Sequence, residues 1–408
     1  MRLWLSVIGL GEDGLSGLSP AARALVEAAE VLVGGERHLA MLPEDGRERI
    51  VWPSPLSELV SRLTDYRGRE VAILATGDPM LFGIGTTLAR SFAPEEMTII
   101  PGLSAFSLAA SRLAWPLDRA EMVTLHGRPL EKLALALYPD ARILVLSHDA
   151  STPAAVAAFL SERGFGESRI TALSHMGGEK EARLEGSAEA WSGEVADFNT
   201  LAIECVAGPG AAWLPRTAGL PDEAFEHDGK MTKRECRALA IARLEPHPGA
   251  LLWDIGAGAG SVAIEFMRAA PHARAIALEP RPERRAMAAR NAENLGVPEL
   301  DLRHGEAPAG LAGLPEPDAV FVGGGVTPQT LEAAAAALKP GGRLVAHAVT
   351  LESEEVLLAA SAAHGGELTR LAVARAEKIG AYRGWRPAMP VTQWVWKKGG
   401  SGRRANRP

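Results

Sequence analysis

The stretch Leu251–Ser261, LLWDIGAGAGS, decides how the rest of the chain is read. A short apolar run, Leu251, Leu252 and Trp253, ends in the acid Asp254. Glycines follow at alternate positions, Gly256, Gly258 and Gly260, with Ala257 and Ala259 between them; the helix-patterned VAIEFMRAA comes next. Strand, glycine turn and helix in that order make the first crossover of an open parallel sheet, whose carboxyl edge is where ligands bind. Glycine suits such a turn because the backbone must approach a ligand closely and take up positive φ.

The spacing selects among ligands. A dinucleotide fingerprint, G-x-G-x-x-G, needs glycine at 261, where this chain has Ser261. An acid followed by G-x-G-x-G instead resembles the S-adenosylmethionine loop of the Rossmann-like class I methyltransferases. The next strand, ARAIALEP, ends in Glu279. That is about 20 residues on, where a carboxylate can accept both ribose hydroxyls.

A chain of 408 residues has room for two sizeable cores, and two domains are expected. Its 47% hydrophobic and 23% charged content are globular values. A net charge of −7 argues against a nucleic-acid binder, which would be basic. Cys205 and Cys236 are the only cysteines, too few for a disulfide framework or a zinc set, so a reducing, cytoplasmic setting is expected and no metal. No apolar run is long enough to span a bilayer, and LWLSVIGL near the start reads as a buried strand, not a signal peptide.

The first half alternates strand and helix: LWLSVIGLG, SPAARALVEAAEVLVGG, REVAILATGDPM, EMTIIPGLSAFSLAASRLAW, RILVLSHDA, STPAAVAAFLSERGFG, RITALSHMGG and NTLAIECVAG. Such alternation predicts an α/β domain over residues 1–205. Residues 206–230 lapse into Gly, Pro and charge and read as an interdomain segment. Residues 231–397 repeat the α/β pattern and end in two late strands, ELTRLAVARA and VTQWVWKK, with the loop AYRGWRP between them. The polar end, 398–408, reads as a disordered tail.

Three turns in the first half follow apolar strands: GLGEDG at 9–14, ATGDPMLFGIG at 75–85 and PGLSAFSLAASRLAWP at 101–116. All three can line one sheet edge. Together with LHGRP at 125–129 they resemble the tetrapyrrole (corrin and porphyrin) methyltransferase family. GLGEDGLSGLSPAARALVEAAEVLVGGERHL with WPSP, and in the second half GKMTKRECRALAIARL, the glycine loop, GEAP, AVFVGGG and HAVTLES, narrow this to the two-domain, decarboxylating precorrin methyltransferases. The similarity runs over nearly all of residues 1–396.

This resemblance implies an N-terminal domain of two sub-domains around a cleft and a C-terminal class I domain, each binding its own S-adenosylmethionine. The matching cofactor positions are Gly9, Gly11, Asp78, Leu81, Ser104 and Ala105 in the first domain. In the second they are Thr232, Asp254, the loop Gly256–Gly260, Glu279 and Ala307. Glu12 and Asp13 stand where many relatives have Pro-Gly, which leaves open whether the first turn faces the cofactor or the substrate mouth.

The implied reaction is methylation of a precorrin at carbons 5 and 15 with loss of carbon dioxide from the acetate on carbon 12. The first domain would act at carbon 5 and the second would do the rest. Related first domains pair as dimers, so a homo-oligomer is expected. A polycarboxylate substrate calls for arginines. Arg37 and Arg128, and Arg383 and Arg386 in the AYRGWRP loop, are the candidates, each against the alternative of a solvated surface arginine. Tyr382 is read as a proton donor or as packing on the ring, and His126 as a substrate contact or structural. His347, at a strand end expected to face the pocket, is read as a satisfied structural histidine or a proton carrier. Tyr382, Arg383, His347 and Arg128 thus form the set for substrate positioning or proton transfer.

Overall fold

The computed structural model describes residues 3–53 and 57–399. Ser54 and Pro55 of the WPSP motif, and residues 400–408 of the expected tail, lie outside the described residues. The chain forms two compact units. One takes in the residues up to Leu130 together with Tyr138–Ala212; the other holds Glu131–Leu137 and everything from Trp213 onward.

Unit 1 has two lobes, each with its own sheet. The first sheet contains β1 (Leu5–Leu10), β2 (Val31–Gly34), β3 (Glu48–Val51), β4 (Val71–Thr76) and β5 (Met97–Ile100) in the order β3-β2-β4-β1-β5, and every pairing is parallel. Strands buried on both faces read as unbroken apolar runs, as LSVIGL does over β1. The second sheet contains β6 (Glu121–Thr124), β7 (Arg142–Leu146), β8 (Arg169–Ser174), β9 (Ala182–Ser187) and β10 (Asn199–Glu204), in the order β6-β7-β10-β8-β9. Only β6 and β7 run parallel; β10 is antiparallel to both its neighbours. The short β3, β6 and β9 escape the sequence reading because none is a continuous buried run; β9 is a half-exposed edge with the pattern ARLEGS.

Unit 2 contains β11 (Leu251–Ile255), β12 (Arg274–Leu278), β13 (Asp301–Arg303), β14 (Ala319–Val322), β15 (Arg343–Ala348), β16 (Glu367–Leu371), β17 (Ala374–Ile379), β18 (Tyr382–Pro387) and β19 (Val391–Lys397). Seven of them form one sheet, β13-β12-β11-β14-β15-β19-β16, parallel from β13 to β15 and antiparallel through β19. The expectation of two late strands joined by a loop needs correction. ELTRLAVARA is split between β16 and β17, and the AYRGWRP segment is not a loop: β17 and β18 make a separate two-stranded hairpin. Every residue of β17 is exposed, so no buried face imposes an alternating pattern on the sequence.

The stretch from Trp213 to Thr232, within the expected interdomain segment and just beyond it, is packed onto unit 2. The fully buried Arg237 anchors it: Nε donates to Glu265 Oε1 (2.6 Å), and Nη1 donates to Asp222 Oδ1 (3.1 Å) and to the Thr232 carbonyl (2.6 Å). Nη2 reaches the Leu220 carbonyl (2.5 Å), and the guanidinium lies over the Phe225 ring at 4.7 Å. Glu265, also buried, accepts the Gly219 and Leu220 N–H groups (2.7 and 2.9 Å). Arg268 adds bonds to the carbonyls of Leu214 and Pro215 at 3.0 and 3.2 Å. Removing one partner of such a buried set leaves a charge without compensation. Arg237→Ala is therefore expected to lower the stability of unit 2 by about 3–5 kcal/mol, read as a downward shift of its calorimetric transition while that of unit 1 stays in place.

Candidate functional site

In unit 1, the neighbours β4, β1 and β5 run parallel and end side by side, which brings the three sequence turns together. Their backbones are stitched directly: Gly77 N–H donates to the Leu10 carbonyl and Gly102 N–H to the Gly77 carbonyl, both at 3.0 Å. A Cβ on Gly9 would collide with Gly77 O and Gly102 N, so nothing larger than glycine fits. Gly77 itself sits at φ +58. Asp78 closes the next turn by accepting Met80 N–H (2.8 Å), and Leu81 packs against the core of the second lobe. Ser104 caps the helix Ala105–Leu113 by accepting Ser107 N–H (3.0 Å).

A cleft opens beside these turns. Gly11, Gly77 and Ala105 wall one side, and Leu173, Met176 and Thr200 of the second lobe wall the other. Glu12 faces into it, as do Arg37 and His175. Arg37 is not free to greet a ligand, as the sequence suggested. It is ion-paired to Glu12, lies 4.1 Å over the Phe198 ring and donates to Thr76 Oγ1 (3.2 Å). His38, 3.0 Å from Arg37 Nη2, is buried; burial and the adjacent Arg37 charge push its pKa down to about 4, so it is neutral. His126 and Arg128 are exposed in the turn after β6, where the His126 ring lies 5.7 Å from that of His148.

In unit 2, the loop after β11 is shaped by the same physics. Gly256, Gly258 and Gly260 have φ of +72, +57 and +76. A Cβ on Gly256 would stand 2.9 Å from both the N and Cα of Gly324, in the turn after β14. Ala257 and Ala259 fill the intervening positions, and Gly260 begins the helix Ser261–Ala269. Glu279, buried at the end of β12, accepts Gly258 N–H (2.9 Å) and Arg281 N–H (3.0 Å). Asp254 accepts Ala263 N–H (3.0 Å) through Oδ2, while its buried Oδ1 has no partner. Burial, with a contribution from the Glu279 charge, raises its pKa to about 7. Asp254 thus braces the loop against the helix. The Thr232 carbonyl is held by Arg237, and Ala307 precedes a cis proline while packing on the sheet's core.

His347 is buried: its Nε2 bonds Gln393 Oε1 (3.0 Å), and the Phe321 ring meets it edge-on at 5.0 Å. Burial depresses its pKa to about 4, which leaves it a neutral structural group. Tyr382, 81% exposed, lies with Arg383 and Arg386 on the hairpin, where Arg386 pairs with Glu377 (2.9 Å). The register places Leu371 opposite Val391 and Ala348 opposite Thr392, so the hairpin leaves the sheet at its carboxyl edge, the edge of the glycine loop. Glu12, His175, Phe198 and Gly324 escaped notice as site residues or were left unassigned, since each matters only through a partner distant in sequence.

Residues 5–191 match the family model described as Tetrapyrrole (Corrin/Porphyrin) Methylases, and residues 223–398 match the Precorrin methyltransferase domain. A Sinorhizobium protein named precorrin-6Y C(5,15)-methyltransferase [decarboxylating] is 50% identical over 399 residues, which span 97% of each chain. Two relatives match less of the chain. A Salmonella typhimurium cobalt-precorrin-7 C(5)-methyltransferase is 35% identical over 34% of this chain and 72% of its own. A probable cobalt-precorrin-6B C(15)-methyltransferase (decarboxylating) from Pyrobaculum calidifontis is 38% identical over 42% and 91%.

The two shifted groups of unit 2 act on stability in opposite directions. Asp254 rises from 3.8 to about 7 on folding, so the folded state holds an extra proton and loses stability as pH climbs through that window. His347 falls from 6.5 to about 4; its contribution is complete above pH 6.5 and is lost as pH drops toward 4. Asp254→Asn should therefore gain melting temperature relative to the parent between pH 5 and pH 8. His347→Asn should flatten the acid-side loss. Parallel curves for parent and variant would contradict the assignment.

Proposed function

We propose a division of labour for this chain, which belongs to the precorrin-6Y C(5,15)-methyltransferase (decarboxylating) family: unit 1 methylates carbon 5, and unit 2 methylates carbon 15 and releases carbon dioxide. The overall activity is methylation of a precorrin at both carbons, with decarboxylation of the carbon-12 acetate, in cobalamin biosynthesis. The observation that carries the division is the pair of separate glycine cradles on differently ordered sheets. Relatives named for one methylation each, and matching under half of this chain, support it.

Each cradle fits one S-adenosylmethionine, which when bound supplies a methyl group activated on a sulfonium. In unit 2, the backbone from Gly256 to Gly260 has the close approach and positive φ that a ligand edge needs. Glu279 uses two acceptor sites on backbone N–H groups and keeps the rest of its lone pairs for ribose hydroxyls. Thr232 and Ala307 border the same loop region in this reading, and Asp254 holds the loop against the helix. In unit 1, Gly9, Gly11, the Asp78–Leu81 turn, Ser104 and Ala105 serve through their backbones.

The chain's contribution to methyl transfer is alignment of two partners in a closed setting, since the donor is already reactive. Loss of carbon dioxide from the acetate requires an electron sink, which a ring methylated at a bridging carbon provides as a conjugated cation. Arg383 and Arg386 on the hairpin of unit 2, and Arg128 in unit 1, are assigned to the substrate's carboxylates, where the planar guanidinium gives paired hydrogen bonds, and Tyr382 on the same hairpin is assigned to proton donation or packing on the ring. The buried Cys205 and Cys236 are both unpaired, in keeping with a reducing compartment. Among the described residues no helix is long and apolar enough to cross a membrane.

Calorimetric titration of the full chain with S-adenosylhomocysteine should give two equivalents. Gly77→Val places a branched side chain at φ +58 against the Leu103 carbonyl, and Gly256→Val does the same at φ +72 against Gly324. Each variant should bind one equivalent. The first should give product carrying a carbon-15 methyl and lacking the acetate carboxyl, and the second should lose both of those changes. A single variant that abolishes all three changes would refute the division.

A further inference from the structure

Carbon 5 bridges two rings of a conjugated macrocycle and carries one hydrogen. Placing a methyl there while keeping the bridge conjugated requires that hydrogen to leave as a proton, so a base must stand in the same cleft. Three residues that wall the cleft of unit 1 ionise: Glu12, Arg37 and His175. They form one linked group drawn from both lobes. His175 Nδ1 is 2.8 Å from Glu12 Oε2, and the other carboxylate oxygen is paired with Arg37. A carboxylate only accepts, so Nδ1 carries the hydrogen and the basic lone pair is on Nε2.

The surroundings hold this geometry. Phe198 meets the His175 ring at 5.8 Å and the Arg37 guanidinium at 4.1 Å. A Cβ on Gly178 would be 2.8 Å from that of Glu12, so the glycine lets the acid side chain pass between the lobes. His175 itself is held at φ +48, an unusual conformation for a residue with a side chain, by its N–H bond to the Phe198 carbonyl (3.2 Å). An Arg112–Glu181 pair also lies on its own lobe, fastened to Gly177 N–H.

Resting on the carbon-5 chemistry assigned above to unit 1, we propose that His175 is the general base of that methylation and that Glu12 is its positioning residue. Carbon 5 gives a π electron pair to the methyl carbon, the sulfur–carbon bond breaks toward sulfur, and the ring takes the positive charge. The carbon–hydrogen pair then returns to the ring, and the proton goes to His175 Nε2. Glu12 stabilises the resulting imidazolium, and Arg37 keeps Glu12 in place. Solvent takes the proton afterwards.

The test uses the full chain with both reactions followed by mass spectrometry and NMR. His175→Gly suits the positive φ and leaves room for a small base. It should slow carbon-5 methylation by about 10²- to 10⁴-fold, leave carbon-15 methylation and carbon dioxide release as they are, and recover with added imidazole. In D₂O without methyl donor, the parent should exchange the carbon-5 hydrogen and the variant should not. Glu12→Gln should lower kcat for carbon 5 with KM unchanged, and Glu12→Asp should restore part of it. Carbon-5 methylation that persists in His175→Gly, or is lost but does not respond to imidazole while exchange continues, overturns the assignment and leaves the group as a clasp between lobes. Should His175→Gly lose the unit 1 melting transition, Glu12→Gln decides, and an unchanged kcat overturns it. A parent enzyme that methylates only carbon 15 would instead overturn the division of labour.

Discussion

Backbone touching backbone is the constraint on which this molecule is built. At the carboxyl edge of the first sheet, Gly9, Gly77 and Gly102 come so close that a single Cβ has no place. In unit 2 the same contact is made by Gly256 against Gly324. Parallel strands make it possible, because neighbouring strands all end at one edge and their turns must share a small space. The result in both units is an edge where backbone groups of neighbouring turns lie against one another. Two differently ordered sheets thus arrive at a similar surface.

Charge is placed around those edges by burial. Glu279 and Asp254 are both almost fully buried, yet they differ in support. Glu279 accepts two backbone N–H groups and Asp254 one; burial pushes the Asp254 carboxyl up to about 7. Hydrogen bonds to the charged form favour ionisation and desolvation opposes it. The Arg237–Glu265–Asp222 set applies the same balance to architecture: a buried cation is tolerated because four acceptors surround it, and in exchange it orders the chain that leads to Thr232. In unit 1 the Arg37–Glu12–His175 group works across two lobes, so its geometry depends on their being closed upon each other.

The local patterns that carried the sequence reading are those whose physics is local. Apolar runs such as LSVIGL and LLWDI, short and followed by glycine turns, read as strands buried on both faces, and they are such strands. Glycines at 256, 258 and 260 announced positive φ, and the φ values agree. The hairpin Ala374–Pro387 was misread because neither strand has a buried face and so neither leaves a period of two in its residues. His347 stands near a strand end, where sequence alone leaves open whether it is structural or carries a proton. In the fold, the antiparallel β19 covers it and brings Gln393 to its ring.

By itself, then, the chain's order of residues determined the two α/β units, the glycine edges and the acids that end their strands, since each of these follows from a handful of adjacent side chains. Tertiary structure alone decided that Arg37 is already engaged, that Glu12 meets His175 across 163 positions, and that Asp254 keeps an oxygen without a donor. Those outcomes depend on which distant groups share a volume from which water is excluded. Burial and partnership set the charge and reach of a side chain, and neither is written in its neighbours along the chain.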